Sequence, residues 1–119
     1  MYKRQTGDAV LQEVARRLRQ SVRGGDMVGR FGGEEFIILL IGKTTQQAEQ
    51  IAERMRSHVG SSPIKVDGDM IPITMSQGLA EGNAQDSADS IIERADQALY
   101  EAKHRGRNCV ITAKAPAGD

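Results

Sequence analysis

The sequence predicts an α+β fold, with helices packed on a mostly antiparallel sheet. Three observations carry that expectation. Stretches with apolar residues at helical spacing alternate with short, β-branched runs. Hairpin-type turns, Gly32-Gly33 and Asp67-Gly68, separate pairs of those runs. The 119 residues suffice for one domain with one core and show no internal repeat or low-complexity linker.

The first helix is marked by Val10, Leu11, Val14, Ala15, Leu18 and Val22, which follow Gly7-Asp8 at a spacing that puts them on one face. Its outer face carries Arg16, Arg17 and Arg19, read as solvated, and Arg23-Gly24-Gly25-Asp26 ends it. Met27–Phe31 and Phe36–Ile41 then flank a glycine-rich tip and read as a hairpin. The run Ile37–Ile41 is too continuous for a one-sided strand, so burial on both faces is expected.

Gly42 breaks that run, and Thr44 with Gln47 forms a capping-box pattern. Ala48, Ile51, Ala52, Met55 and Val59 stripe a second helix that Gly60 stops. Ile64–Val66 and Met70–Ile71 bracket Asp67-Gly68 as a second hairpin. Ile71, Ile73, Met75 and Leu79 alternate as a strand, with Pro72 marking an edge or a bulge. A loop over Gly82–Asp86 leads to a third helix marked by Ile91, Ile92, Ala95, Ala98, Leu99 and Ala102, ended by Gly106. Asn108–Thr112 is a last short strand.

Composition narrows the function classes. The 16 basic and 16 acidic side chains balance, which leaves no electrostatic footprint for nucleic acid or an anionic membrane. No apolar run reaches membrane-spanning length and no signal peptide is visible. The single Cys109 excludes an intrachain disulfide, fits a reducing, cytoplasmic compartment, and reads as a small buried strand residue. His58 and His104 have no second ligand at metal spacing and read as surface residues.

The segment Gly32-Gly33-Glu34-Glu35-Phe36 is the candidate functional tip. Glycine there leaves bare backbone that a ligand can approach. Two carboxylates follow at once, and because side chains alternate along an extended backbone, only one of Glu34 and Glu35 should face a site directly. Carboxylates beside backbone N–H groups suit a phosphate only with a divalent cation between them, so the pattern indicates a metal–nucleotide site. An ordinary Gly-Gly-acid turn is the competing reading.

At this point the chain resembles the GGDEF family of bacterial diguanylate cyclases. The resemblance rests on Gly32-Gly33-Glu34-Glu35-Phe36, Gly7-Asp8-Ala9-Val10-Leu11, Ser76-Gln77-Gly78, Ala95-Asp96-Gln97-Ala98-Leu99-Tyr100-Glu101-Ala102-Lys103 and Gly106-Arg107-Asn108, in that family's order along the chain. It implies a nucleotide-cyclase-like, ferredoxin-like antiparallel sheet flanked by helices. It also implies condensation of two GTP into cyclic di-GMP, with Mg²⁺ or Mn²⁺, by two facing domains of a homodimer. By the same resemblance Glu34 and Glu35 are the catalytic metal ligands, and Gly32 and Gly33 let the backbone approach GTP. Asp8 accepts from the guanine edge, and Lys103 and Arg107 hold the triphosphate. Without the resemblance, Asp8 reads equally as a helix cap, and Lys103 and Arg107 as complements to a helix dipole.

Arg23 and Asp26, in an Arg-x-x-Asp pattern five residues before the double glycine, match the family's inhibitory product site. An Arg fork can read guanine O6 and N7 while the Asp accepts from its donor edge. Arg54 or Arg56 would add a third contact. An ordinary helix–strand connection with two solvated charges is the alternative.

The resemblance also implies that the family's first strand, with an Asp metal ligand, and its first helix are missing before Gly7. Met1–Gln5 reads as the translation of a transposase sequencing adaptor. The expected organisation is therefore a foreign leader over residues 1–5, a partial domain over 6–113, and a flexible tail over 114–119. The isolated chain is expected to be inactive, with a sensor domain upstream in the parent protein. The competing function is a non-catalytic module that binds cyclic di-GMP and regulates a partner.

Overall fold

The structure is a computed structural model that describes residues 4–22, 26–32 and 35–114. The element order is α1 (Arg4–Ser21), β1 (Met27–Gly32), β2 (Glu35–Leu39), α2 (Thr45–Val59), β3 (Ile64–Val66), β4 (Asp69–Ile71), β5 (Gln77–Leu79), α3 (Ala88–His104) and β6 (Val110–Thr112). The α+β class expected from the alternating periodicities is what the chain adopts.

Local chemistry explains the sharpest boundaries. Thr44 caps α2 with a complete capping box: Gln47 N donates to Thr44 Oγ1 at 3.1 Å, and Thr44 N donates to Gln47 Oε1 at 2.9 Å. Asp67 and Gly68 both take positive φ, +51° and +86°, as a two-residue hairpin turn requires. They set the register Ile64↔Ile71, Lys65↔Met70 and Val66↔Asp69. Helix α1 starts at Arg4, earlier than its apolar stripe, so Gly7 and Asp8 lie inside it and Asp8 is not its N-cap. Arg4 and Gln5 of the expected leader are helical, whereas Met1–Lys3 lie outside the described residues.

The core forms where α1 crosses α2. Leu18, Met55 and Val59 are fully buried, and Val14, Phe36, Ile38 and Met75 pack against them. Arg17 departs from the expected solvated face and is 6% exposed. It is buried because its guanidinium finds enough acceptors to offset desolvation. Nη1 donates to Val59 O at 2.6 Å and Ser62 O at 2.7 Å, and Nε donates to Glu13 Oε2 at 2.9 Å. Arg17 thereby ties α1 to the exit of α2.

The sheet differs from expectation in four ways. First, it is divided into three two-stranded ribbons, β1-β2, β3-β4 and β5-β6, among the described residues. Second, β5 and β6 run parallel while the other two pairs are antiparallel. The reason is the connection: α3 is the crossover that parallel neighbours need. Third, β2 is one-sided. Phe36, Ile38 and Leu40 face the core, while Ile37, Leu39 and Ile41 are exposed beside Met27. The continuous apolar run therefore has a covered face and an uncovered one. The expected strand over Ile71–Leu79 is also broken, since Pro72 follows β4 directly and regular pairing resumes only at Gln77.

Candidate functional site

The signature tip sits at the turn between β1 and β2. Gly32 pairs with Glu35, and the register shifts between Arg30 and Gly32, a bulge immediately before the turn. Gly33 and Glu34, the residues expected to approach nucleotide and bind metal, lie outside the described residues. Glu35 opens β2 and is half-buried.

A cleft of about 1230 Å³ opens between β2 and the segment 73–82 that contains β5. Its floor is apolar, from Val14 and Leu18 of α1, Phe36 and Ile38 of β2, and Met75 and Leu79. Its rim carries Glu35, Lys43, Lys103 and Arg107. Thus one signature carboxylate and both expected phosphate-binding cations border one space, although they come from distant parts of the chain. Asp8 is exposed on α1 and does not line this cleft.

The cationic rim is built by the end of α3. Lys103 is half-buried in the last turn, and Arg107 lies in the loop that follows. That loop is anchored at both ends: Arg107 N donates to Ala102 O at 3.0 Å, and Asn108 N donates to Ser76 Oγ at 3.0 Å. Gln77 extends the anchoring, since its N donates to Cys109 O at 2.9 Å and its Nε2 donates to Ala52 O at 3.0 Å. Gly78 is required by close approach. A Cβ there would lie 2.1 Å from Ala95 O and 2.3 Å from Leu99 N, so β5 rests on the α3 backbone. The Ser76-Gln77-Gly78 pattern, visible in the sequence without a role, is therefore the mount for the cationic arm.

Among the described residues, no group of three or more His, Cys, Asp or Glu is placed to hold a metal ion. The two signature carboxylates are hard oxygen donors, and a Mg²⁺-sized ion is commonly held by one or two carboxylates together with substrate phosphates. The donor chemistry fits such an ion. His58 is half-buried and hydrogen-bonded to Gln20 Oε1 at 2.9 Å, and exposed His104 bonds Tyr100 O at 2.9 Å, so both histidines have structural partners.

Of the expected product-site residues, Arg23 lies outside the described residues. Asp26 stands before β1, where its Oδ1 accepts from Ile41 N at 3.0 Å and latches the open end of the hairpin. Arg54 is exposed on α2. Arg56 is engaged instead, with Glu53 and with Asn108 Oδ1 at 2.7 Å. The Arg56 hydrogen bond is the main reason the Glu53 carboxyl is held below its usual range.

A family profile described as "Diguanylate cyclase, GGDEF domain" matches residues 2–109. The chain belongs to the GGDEF family. Diguanylate cyclase A of Treponema denticola is 44% identical over 114 residues, covering 95% of this chain and 31% of that protein. The response regulator PleD of Caulobacter vibrioides is 41% identical over 108 residues, covering 88% of this chain and 24% of that protein. This GGDEF chain thus spans about a third or less of the length of these curated relatives. Among solved structures, the GGDEF domain of DgcB from Caulobacter crescentus in complex with c-di-GMP superposes with a TM-score of 0.86 at 34% identity, covering 94% of this chain and 67% of that one. Diguanylate cyclase SiaD from Pseudomonas aeruginosa, in complex with its activator SiaC, gives a TM-score of 0.88 at 35% identity, covering 92% and 42%.

Proposed function

We propose that this chain is the C-terminal part of a diguanylate cyclase that condenses two GTP into cyclic di-GMP in the cytoplasm. The observation that carries the reading is the common cleft bordered by Glu35, Lys103 and Arg107. Each domain holds one GTP, and two domains of a homodimer face each other. The 3′-hydroxyl of one nucleotide attacks the α-phosphate of the other, and pyrophosphate leaves.

Glu34 and Glu35 are the residues that would hold Mg²⁺ or Mn²⁺, an ion that eases ionisation of the hydroxyl and offsets charge on the phosphate oxygens. The remaining work is positioning. Lys103 and Arg107 neutralise and orient the triphosphate. Gly32 and Gly33 let the tip backbone come close. Asp8 accepts hydrogen bonds from N1–H and the exocyclic amine of guanine, which adenine cannot offer in the same arrangement. Arg23 and Asp26 bind product, with exposed Arg54 the better-placed third contact because Arg56 is already engaged. A sensor domain upstream would control the encounter of the two domains.

The isolated chain does not complete this reaction. Supporting this reading, ribbons β1-β2 and β5-β6 do not pair with each other, and an apolar cleft lies between them. Met27, Ile37, Leu39 and Ile41 of the hairpin are exposed. Incubating the 119-residue chain with GTP and Mg²⁺ should yield no cyclic di-GMP, while the parent protein should yield it. Efficient turnover by the chain alone would refute that expectation.

A second reading, a non-catalytic module that senses cyclic di-GMP, is favoured by the likeness to a GGDEF domain solved with that nucleotide. Calorimetric titration with cyclic di-GMP before and after Arg23→Ala tests the product site under either reading. Affinity should fall in the variant, and unchanged affinity would remove the site.

A further inference from the structure

Three successive residues, Gly106, Arg107 and Asn108, have φ of +107°, +65° and +51°. Glycine and asparagine enter this region readily, but for arginine it is uncommon and strained. A strained run persists only where its surroundings over-determine it. Two of the restraints are the backbone bonds to Ala102 O and Ser76 Oγ. The third comes from another helix: Arg56 Nη1 of α2 donates to Asn108 Oδ1 at 2.7 Å. Arg56 is itself fixed, since its Nε and Nη2 donate to the Glu53 carboxylate at 3.1 Å and 2.9 Å. Its side chain is only 25% exposed, and the planar fork holds two acceptors at once.

We propose that Arg56 is a positioning residue for nucleotide binding: through Asn108 it locks the left-handed turn that presents Arg107 to the β- and γ-phosphates of a nucleoside triphosphate. This role for Arg56 rests on the reading of Arg107 as a triphosphate ligand. It separates the two neighbouring arginines of α2 by role. Arg54 is exposed and available to a ligand, whereas Arg56 serves the cationic arm from behind. It also gives Asn108 a function that its place at a helix-end loop would not indicate.

The test uses the intact parent protein, titrated calorimetrically with GTP and separately with GMP, which lacks the two outer phosphates. Arg107→Gln is the reference. Arg56→Gln and Asn108→Ala should each weaken GTP binding about tenfold, the scale of one charge-assisted contact, while GMP binding stays within about twofold. The double variant should be no weaker than the poorer single one, because both changes remove the same lock. Asn108→Gly should lose less than Asn108→Ala, since glycine reaches positive φ without strain. Steady-state kinetics should show a raised KM for GTP with kcat preserved.

Unaltered GTP affinity in Arg56→Gln and Asn108→Ala would overturn the proposal, as would a parallel loss of GTP and GMP binding. Should Arg56→Gln not fold, the variants at exposed Asn108 decide the matter by themselves. A parent protein that binds neither nucleotide would remove the cyclase reading and this inference with it. One that binds GTP and turns it over equally in every variant would remove this inference alone.

Discussion

In the unit formed by β5, α3 and β6, the strand backbone lies on the helix at Gly78, and Ala98 and Ala102 are buried. In the β1-β2 hairpin, only one face is packed, while Met27, Leu39 and Ile41 are each more than half exposed. Both regions carry parts of the candidate site. The cationic arm is tied within the chain, since Arg107 and Asn108 both have hydrogen-bond partners there. The acidic hairpin is held at its base by Asp26 and along its inner face by the core, and its outer face is exposed. The difference is that the cationic arm takes its shape from contacts within the chain, whereas the hairpin's outer face is uncovered among the described residues.

Several substitutions break or sharpen that contrast. The largest effect should come from the shared core: Leu18→Ala should lose about 2–5 kcal/mol in chemical denaturation, the range for a buried leucine. Leu39→Ala, on the hairpin's outer face, should change stability by less than about 0.5 kcal/mol. Equal losses would mean that the outer face is covered in solution.

Next comes Gly78→Ala, whose Cβ would collide with the α3 backbone and should cost about 1–3 kcal/mol. Gly29→Ala in β1, where a Cβ meets nothing within 4 Å, should be nearly neutral, both variants being read by thermal melts. A tolerant Gly78 would show that the cationic arm is less tightly mounted than described. Thr44→Ala should remove about 1 kcal/mol by opening the capping box that starts α2.

The smallest effect concerns Glu13, which helps fix Arg17. Hydrogen bonds from Arg16 first, and from Arg17, lower its carboxyl to about 2 from a usual 4.5. A depressed carboxyl stabilises the fold fully above the unfolded value and loses that contribution as pH falls through the folded one. Stability should therefore decline as pH drops from 4.5 toward about 2, and Glu13→Gln should flatten that part of the profile. An unchanged acid profile in the variant would show that Glu13 makes no such contribution.

Elements set by neighbouring residues were legible in the sequence. The Asp67-Gly68 turn, the Thr44–Gln47 cap and the α3 stripe need only local chemistry. Contacts between distant segments were not. Arg17 looks like one more surface cation until Val59 and Ser62 are brought to it. The run Ile37–Ile41 looks two-sided because composition does not say which neighbours the chain supplies. The parallel pairing of β5 with β6 follows from a crossover that periodicity does not orient. At the site, Glu35 was flagged by the Gly-Gly-acid tip itself and Lys103 and Arg107 through the family pattern, whereas the tie from Arg56 to Asn108 runs from α2 to the loop after α3 and had no local signal. The nearest hint was Gly106-Arg107-Asn108 itself, two residues tolerant of positive φ around one that is not.

The most direct test of the account is cyclic di-GMP formation by the parent protein before and after Glu34→Ala combined with Glu35→Ala. The account predicts that the unaltered parent makes the product and that the double variant, still folded, makes none. Unimpaired synthesis by that variant would contradict it.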